Sequence, residues 1–189
     1  MRLTTEHVFD LFGQIEFYES LWDGVSCYED YHWTKETVTR LKPFVDSIDK
    51  DWTLAHIDAV PDNFLFCPMQ DDAEAVEEIR LIDWEYAGMQ DPHIDIAMFA
   101  VYALYDKEQV DQLIDCYFQS ERCSEITRLK IYAYIAACGL LWSNWCEYKR
   151  QFNVEFGEYA LRQYCFAKKY SDIVLQTLNR SQRHALSRD

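Results

Sequence analysis

Residues 56–66, HIDAVPDNFLF, place polar side chains around a proline and then turn into an apolar run. The stretch joins two short segments of strand type, WTLAHI at 52–57 and NFLF at 63–66, and a third, EIRLIDW, follows at 78–84. The segment PMQDDAEAVEE at 68–78 is a polar turn between them. Apolar runs this short around polar loops predict a small β patch and not a full sheet.

The rest of the chain has the periodicity of helices. Apolar side chains recur at helical spacing in six segments, with Thr4 or Thr5 as the cap of the first and Pro43 bending or interrupting the second. The predicted helices cover 6–22, about 28–48, 93–105, 107–119, 124–150 and about 154–178. The fold class predicted is therefore mainly α with a small β patch.

Length and composition indicate one globular domain. The 189 residues are 49% hydrophobic and 16% aromatic, which is too apolar for a disordered chain, and only 5 Gly and 4 Pro interrupt the helical pattern. No internal repeat or linker divides the chain. We predict a single domain over 1–180, with the loops of interest at 52–88, and a frayed basic tail at 181–189.

Charge and hydropathy exclude several classes of partner. The formal net charge of −15 repels nucleic-acid phosphates and would attract a cationic small molecule. No apolar run approaches the roughly 18 residues that a membrane span requires, and the N-terminus MRLTTEHVFD has no apolar signal segment. We expect a cytoplasmic protein with no nucleic-acid partner and no membrane span.

The polar residues of the opening stretch have a spacing that suits phosphoryl transfer. Asp58 and Asn63 share one loop, and Asp83 follows an apolar strand twenty residues later, in LIDWEYAG. Magnesium prefers oxygen ligands, with phosphates and water completing its shell, so Asn63 and Asp83 suit the metal and Asp58 is free to act as base. A lone H-x-D-x-x-x-x-N also occurs in ordinary turns. The I-D-W-E element and D-P-H-I-D, in order behind it, favour the catalytic interpretation.

These motifs resemble a known family. HIDAVPDNFLF and LIDWEYAGMQDPHIDIA are similar to the catalytic and metal-binding segments of choline kinases, specifically the bacterial type that supplies phosphocholine to surface polysaccharides. Such enzymes have the protein-kinase-like fold, as do aminoglycoside phosphotransferases. The resemblance implies Asp58 as catalytic base, Asn63 and Asp83 as ligands of Mg²⁺, and ATP as co-substrate. It also implies that His56 and Asp95 support the catalytic loop.

The resemblance extends to residues on the substrate side. Glu85 and Tyr86, which follow D-W, match choline kinases better than the aminoglycoside enzymes, and Tyr159 lies in EFGEYA, similar to a segment behind their paired tryptophans. Trp142 and Trp145 lie three residues apart on one helix face, where they are either core or an aromatic site for the quaternary ammonium of choline. The kinase motifs favour the second interpretation.

Other side chains near these motifs are interpreted as structural. Tyr102 and Tyr105, on the helix after Asp95, could add further walls to the aromatic site, but the interpretation as core is favoured, because helical aromatics are usually core. Asp62 is predicted to be a solvated loop acid.

The resemblance covers only the C-terminal lobe of the family's fold. The chain contains no G-x-G-x-x-G and no V-A-I-K-like strand lysine, so we expect the N-terminal lobe to be absent. We predict the catalytic lobe of an ATP-dependent choline kinase, nearly inactive as this chain alone and prone to self-associate through the exposed former lobe interface. The alternatives are a kinase lobe for another small alcohol, such as ethanolamine or an aminoglycoside, and a non-catalytic choline-binding remnant.

Overall fold

The fold is mainly helical, in agreement with the prediction. A computed structural model describes residues 4–22, 25–67, 78–119 and 121–186. The helices are α1 (Leu11–Ser20), α2 (Tyr31–Thr39), α3 (Lys42–Asp46), α4 (His93–Tyr102), α5 (Lys107–Phe118), α6 (Glu125–Arg150) and α7 (Glu158–Leu186). None of the helices formed by these residues combines the length and apolar character that a bilayer span requires.

The strands form two small antiparallel pairs, β1 (Thr53–Ala55) with β4 (Gly88–Gln90) and β2 (Phe64–Cys67) with β3 (Glu78–Leu81). These pairs are the predicted β patch, although the three-residue strand β4 was not expected. The predicted polar turn at 68–78 lies outside the described residues, apart from its last residue. The second pair begins directly after a short 3₁₀ turn at Pro61–Asn63, so the polar loop leads straight into a hairpin.

Helix α6 forms the centre of the core. Residues 130–141 are buried without interruption, which explains why this segment is apolar on all sides. Helices α1, α4 and α7 pack around it. Gly139 allows the closest approach, because a Cβ at this position would lie 2.6 Å from the carbonyl oxygen of Gln163 and 2.9 Å from the amide nitrogen of Ala167 on α7.

The prediction of one helix over 6–22 is wrong in its first part. Helix α1 begins at Leu11, with Asp10 as its N-cap accepting a 3.1 Å hydrogen bond from the Gly13 amide. Residues 7–9 are extended and pair with β4, since the Met89 amide donates to the His7 carbonyl at 2.8 Å. The helical spacing of Val8 is overridden by this backbone pairing with a strand about 80 residues away in sequence.

The boundaries of two other helices also differ from the prediction. The segment 28–48 forms two helices, α2 and α3, with Pro43 in the first turn of the second, where its missing N–H costs nothing. Helix α7 begins at Glu158 and continues to Leu186, so 181–186 is helical and not a frayed tail, while 187–189 lies outside the described residues. No glycine or proline interrupts the sequence after Gly157, which explains the longer helix.

Candidate active site

The loop that carries Asp58 is held by the side chain of Asp95, in the first turn of α4. The carboxylate accepts hydrogen bonds from the backbone amides of His56, at 2.9 Å, and Ile57, at 2.8 Å. Ile57 has a φ of 72°, an unfavourable conformation for a β-branched residue that needs such support. Burial raises the pKa of Asp95, while the two amide donors act in the opposite direction.

His56 connects this loop to the segment after β3. Its side chain is only 1% exposed, and its Nε2 lies 2.8 Å from the carbonyl oxygen of Ile82. Because a carbonyl can only accept, Nε2 is the donor in this bond. The imidazole also meets the Trp84 ring edge-on, with 4.7 Å between ring centroids. These contacts join the loop to the segment after β3, and the supporting role of His56 stays a prediction.

The hairpin brings Asn63 and Asp83 to the same end of the β2–β3 pair. Phe64 pairs with Leu81, and the Ile82 amide donates to the Asn63 carbonyl at 3.0 Å, so Ile82 lies opposite Asn63 and Asp83 is the next residue along the chain. The Asn63 Nδ2 donates to the backbone oxygen of Asp58 at 3.0 Å, which leaves the amide oxygen of its side chain as a potential ligand. One amide oxygen and one carboxylate suit Mg²⁺. The described residues contain no cluster of three or more His, Cys, Asp or Glu suited to a metal.

A buried ion pair fixes the start of α4, and with it Asp95. Asp91 is fully buried and accepts hydrogen bonds from Lys130 on α6, from the His93 amide at 3.1 Å and from the Tyr134 hydroxyl at 3.2 Å. Burial acts to raise the pKa of Asp91, but the hydrogen bonds from His93 and Lys130 outweigh it and hold the pKa well below its usual range.

A cavity of about 580 Å³ opens beside Asp58 and is lined by the predicted substrate-side residues. Its lining is Asp58, Val60, Pro61, Asp62, Glu85, Tyr86, Tyr102, Trp142, Trp145, Phe156 and Tyr159. All five predicted substrate-side residues are therefore on the same cavity as the predicted base. Four other predicted site residues do not line the cavity. They are His56 and Asp95, which are predicted to support the loop, and the predicted metal ligands Asn63 and Asp83.

One side of the cavity is a continuous aromatic wall. The Tyr102 ring lies 5.1 Å from Trp142, Trp142 lies edge-on to Trp145 at 5.7 Å, and Phe156 lies 4.9 Å from Trp145. Tyr159 follows at 6.3 Å from Phe156. The ammonium of Lys149, which does not line the cavity, lies 5.5 Å from the Trp145 ring centroid. This ring is thus already placed in a cation–π contact.

The cavity lining is also acidic. Asp58, Asp62 and Glu85 contribute carboxylates, and the lining residues include no Lys, Arg or His. Burial, followed by the charges of Glu85 and Asp58, raises the pKa of Tyr86. Aromatic rings and carboxylates in one cavity favour a cationic ligand with an apolar surface.

Five further residues line this cavity without belonging to the predicted site: Val60, Pro61, Asp62, Tyr102 and Phe156. Tyr102, for which the core was the favoured interpretation and a further wall the alternative, lines the cavity, and its hydroxyl donates to Asp58 Oδ1 at 2.6 Å. Asp62 is exposed, as predicted, but it also lines the cavity, and Phe156 completes the aromatic wall. The position of Tyr102 seven residues after Asp95, two helical turns along the same face, is the signal that was available.

Comparison with known proteins agrees with these features. The sequence model of the choline/ethanolamine kinase family matches residues 15–138. The chain belongs to the choline/ethanolamine kinase family. Protein LicA of Haemophilus influenzae is 31% identical over 166 residues, which cover 83% of this chain and 46% of LicA.

Solved structures of the family share this architecture. Choline kinase LicA from Streptococcus pneumoniae is 28% identical and superposes with a TM-score of 0.73 over 89% of this chain and 57% of that protein. A structure of LicA in complex with AMP is 27% identical, with a TM-score of 0.74 over 91% of this chain and 57% of LicA. The chain thus spans about half the length of these relatives.

Proposed function

We propose that this chain is the catalytic portion of an ATP-dependent choline kinase, which transfers the γ-phosphoryl group of ATP to the hydroxyl of choline. The observation that carries the proposal is the cavity that is lined both by Asp58 and by the aromatic wall. Choline has a quaternary ammonium at one end and a hydroxyl at the other. The ammonium suits the rings of Trp142 and Trp145, and the hydroxyl then lies toward Asp58.

In this proposal Asp58 accepts the proton of the choline hydroxyl as the oxygen attacks the γ-phosphorus and ADP leaves. Asn63 and Asp83 would hold Mg²⁺, which neutralises phosphate charge. His56 and Asp95 keep the loop in place through the hydrogen bonds described above. The AMP complex of LicA supports the use of an adenine nucleotide. Because ATP is a cytoplasmic metabolite, the proposal also implies a cytoplasmic protein.

We expect the turnover of this chain alone to be weak. Positioning and charge stabilisation supply most of the catalysis in phosphoryl transfer. In protein kinases a glycine-rich loop and a strand lysine hold the phosphates, and neither motif occurs in the 189 residues. The cavity beside Asp58 is formed without either motif.

Phosphorus NMR with stoichiometric protein, ATP, Mg²⁺ and choline tests the proposal. We expect slow formation of phosphocholine by the wild type and no product from Asp58→Ala, because the base is lost. Trp33→Ala is the matched control, since Trp33 is exposed on α2 and does not line the cavity. Equal product from wild type and Asp58→Ala would contradict the assignment of the base.

A second candidate substrate is ethanolamine. Its primary ammonium can donate hydrogen bonds, and the cavity offers the carboxylates of Asp62 and Glu85 as acceptors. Choline binding should depend mainly on the two tryptophans, and ethanolamine binding mainly on the carboxylates of Asp62 and Glu85. Trp145→Ala is therefore expected to weaken choline binding more than ethanolamine binding, and Glu85→Gln to do the reverse.

A non-catalytic choline-binding remnant is the third candidate. The presence of Asp58, Asn63 and Asp83 together favours the enzyme. Choline binding without any phosphocholine formation, even with stoichiometric protein, would favour the remnant.

A further inference from the structure

The hydroxyl of Tyr102 is hydrogen-bonded to the proposed base. It donates to Asp58 Oδ1 at 2.6 Å, and no other donor within the described ranges reaches either carboxylate oxygen of Asp58. The bond joins the end of α4 to the loop across 44 residues of sequence. It is thus a specific tertiary contact and not a local turn interaction.

The backbone and the carboxylate of Asp58 are held by different partners. Asn63 donates to the backbone oxygen of Asp58, and Asp95 fixes the two residues that precede it. These bonds fix the loop but leave the side-chain torsions of Asp58 free. The carboxylate orientation therefore depends on the Tyr102 hydroxyl.

Tyr102 is suited to be a permanent donor. Burial raises the pKa of Tyr102, and the hydrogen bond to Asp58 raises it further, so the hydroxyl keeps its proton. Its ring lies 5.1 Å from Trp142 in the aromatic wall. The Tyr102 side chain thus contacts both the aromatic wall and the Asp58 carboxylate.

We infer that Tyr102 is a positioning residue, which holds Oδ1 of Asp58 and leaves Oδ2 to accept the hydroxyl of an alcohol whose ammonium lies on the aromatic wall. This inference rests on the proposed function and deepens it. Without the Tyr102 hydroxyl, the carboxylate can rotate away from the ligand, while the aromatic wall remains. Recognition of the hydroxyl is then lost and recognition of the cation is kept.

Calorimetric titration with two cations separates these contributions. Choline and ethyltrimethylammonium carry the same quaternary ammonium, and only choline has the hydroxyl. A hydrogen bond to a charged acceptor predicts that the wild type binds choline about tenfold more tightly than ethyltrimethylammonium. In Tyr102→Phe we expect this preference to fall below about threefold, with the affinity for ethyltrimethylammonium changed less than about twofold.

Two further variants make the test specific. Asp58→Ala should remove the preference by itself, and adding Tyr102→Phe to it should change the ratio no further, because both act on one hydrogen bond. Tyr105→Phe is the matched control, since it removes a tyrosine hydroxyl next to the same helix, where the ring contacts Phe99. It should leave the preference intact. The ratio of two affinities within one variant does not depend on the fraction of folded protein.

The outcomes distinguish this inference from the proposed function. Equal loss of both affinities in Tyr102→Phe would show that Tyr102 only packs the wall. Two unchanged affinities would show that its hydroxyl is dispensable. Either result overturns the inference and leaves the choline site standing. A wild type that binds neither cation would refute the proposed function, and the inference with it. Binding of both without preference would refute the inference alone.

Discussion

The two sides of the Asp58 loop differ in how completely they are covered. Toward α6 and α7, Trp142, Trp145 and Tyr159 are all partly buried against neighbouring rings. On the β2–β3 hairpin, Phe66 is 63% exposed and Ile79 is 58% exposed, and no described residue covers them. The side that would bind the phosphoryl acceptor is therefore built from the described residues, while the hairpin presents apolar side chains to solvent.

The largest effect is expected from breaking the buried pair that fixes α4. Lys130→Met removes the ammonium partner of the fully buried Asp91, which keeps its contacts with His93 and Tyr134, and removing one partner of a buried ion pair costs about 3–5 kcal/mol of unfolding free energy. Lys168→Met is the control, because its ion pair with Asp30 is exposed and should change stability by less than about 1 kcal/mol. Urea unfolding of both variants measures the difference. Similar losses in the two would contradict the role of the buried pair.

The same pair predicts a dependence on pH. The pKa of Asp91 is held below its unfolded value, so its stabilising contribution is present above about pH 4 and is lost as the pH falls below that value. The difference in unfolding free energy between wild type and Lys130→Met should therefore shrink below about pH 4. A difference that grows on acidification would contradict the depressed pKa. Urea unfolding at a series of pH values measures it.

Removing the Asp95 carboxylate, which holds the loop that carries Asp58, should have the next largest effect on stability. Asp95→Ala leaves the buried amides of His56 and Ile57 without an acceptor, at a cost of about 2–4 kcal/mol. Asp95→Asn retains one acceptor oxygen and should lose about half as much. Thermal and urea unfolding of both variants measure this order. Equal stability of Asp95→Ala and wild type would show that the strained loop is held by other contacts.

The sequence predicted best those parts in which local signals and packing agree. Helix α5 begins at a capping box formed by Asp106 and Gln109, and α6 begins at Ser124, which caps Thr127, so both starts are visible in the sequence. The motif spacing likewise identified the loop residues. The extended segment at 7–9 could not be predicted, because its conformation comes from pairing with Met89. The contact of Tyr102 with Asp58 depends on how α4 packs against the loop, which helical spacing alone does not specify.

A substitution on the exposed β2–β3 hairpin should have a small effect on stability and a measurable effect on self-association. Phe66→Glu replaces an exposed ring, so we expect the unfolding free energy to change by less than about 0.5 kcal/mol. We predict that the wild type self-associates at high concentration through this apolar surface and that Phe66→Glu reduces it. Small-angle scattering over a concentration series measures both. A strictly monomeric wild type would contradict the prediction.

We propose that the aromatic and acidic cavity beside Asp58 binds choline by itself. The most direct test of this claim is calorimetric titration of choline into the wild type, Trp145→Ala and Phe66→Glu. We predict one-to-one binding by the wild type, a loss of affinity of about tenfold or more in Trp145→Ala, and unchanged affinity in Phe66→Glu. Trp145 lines the cavity, whereas Phe66 does not. Absence of binding by the wild type, or an equal loss in both variants, would contradict the claim.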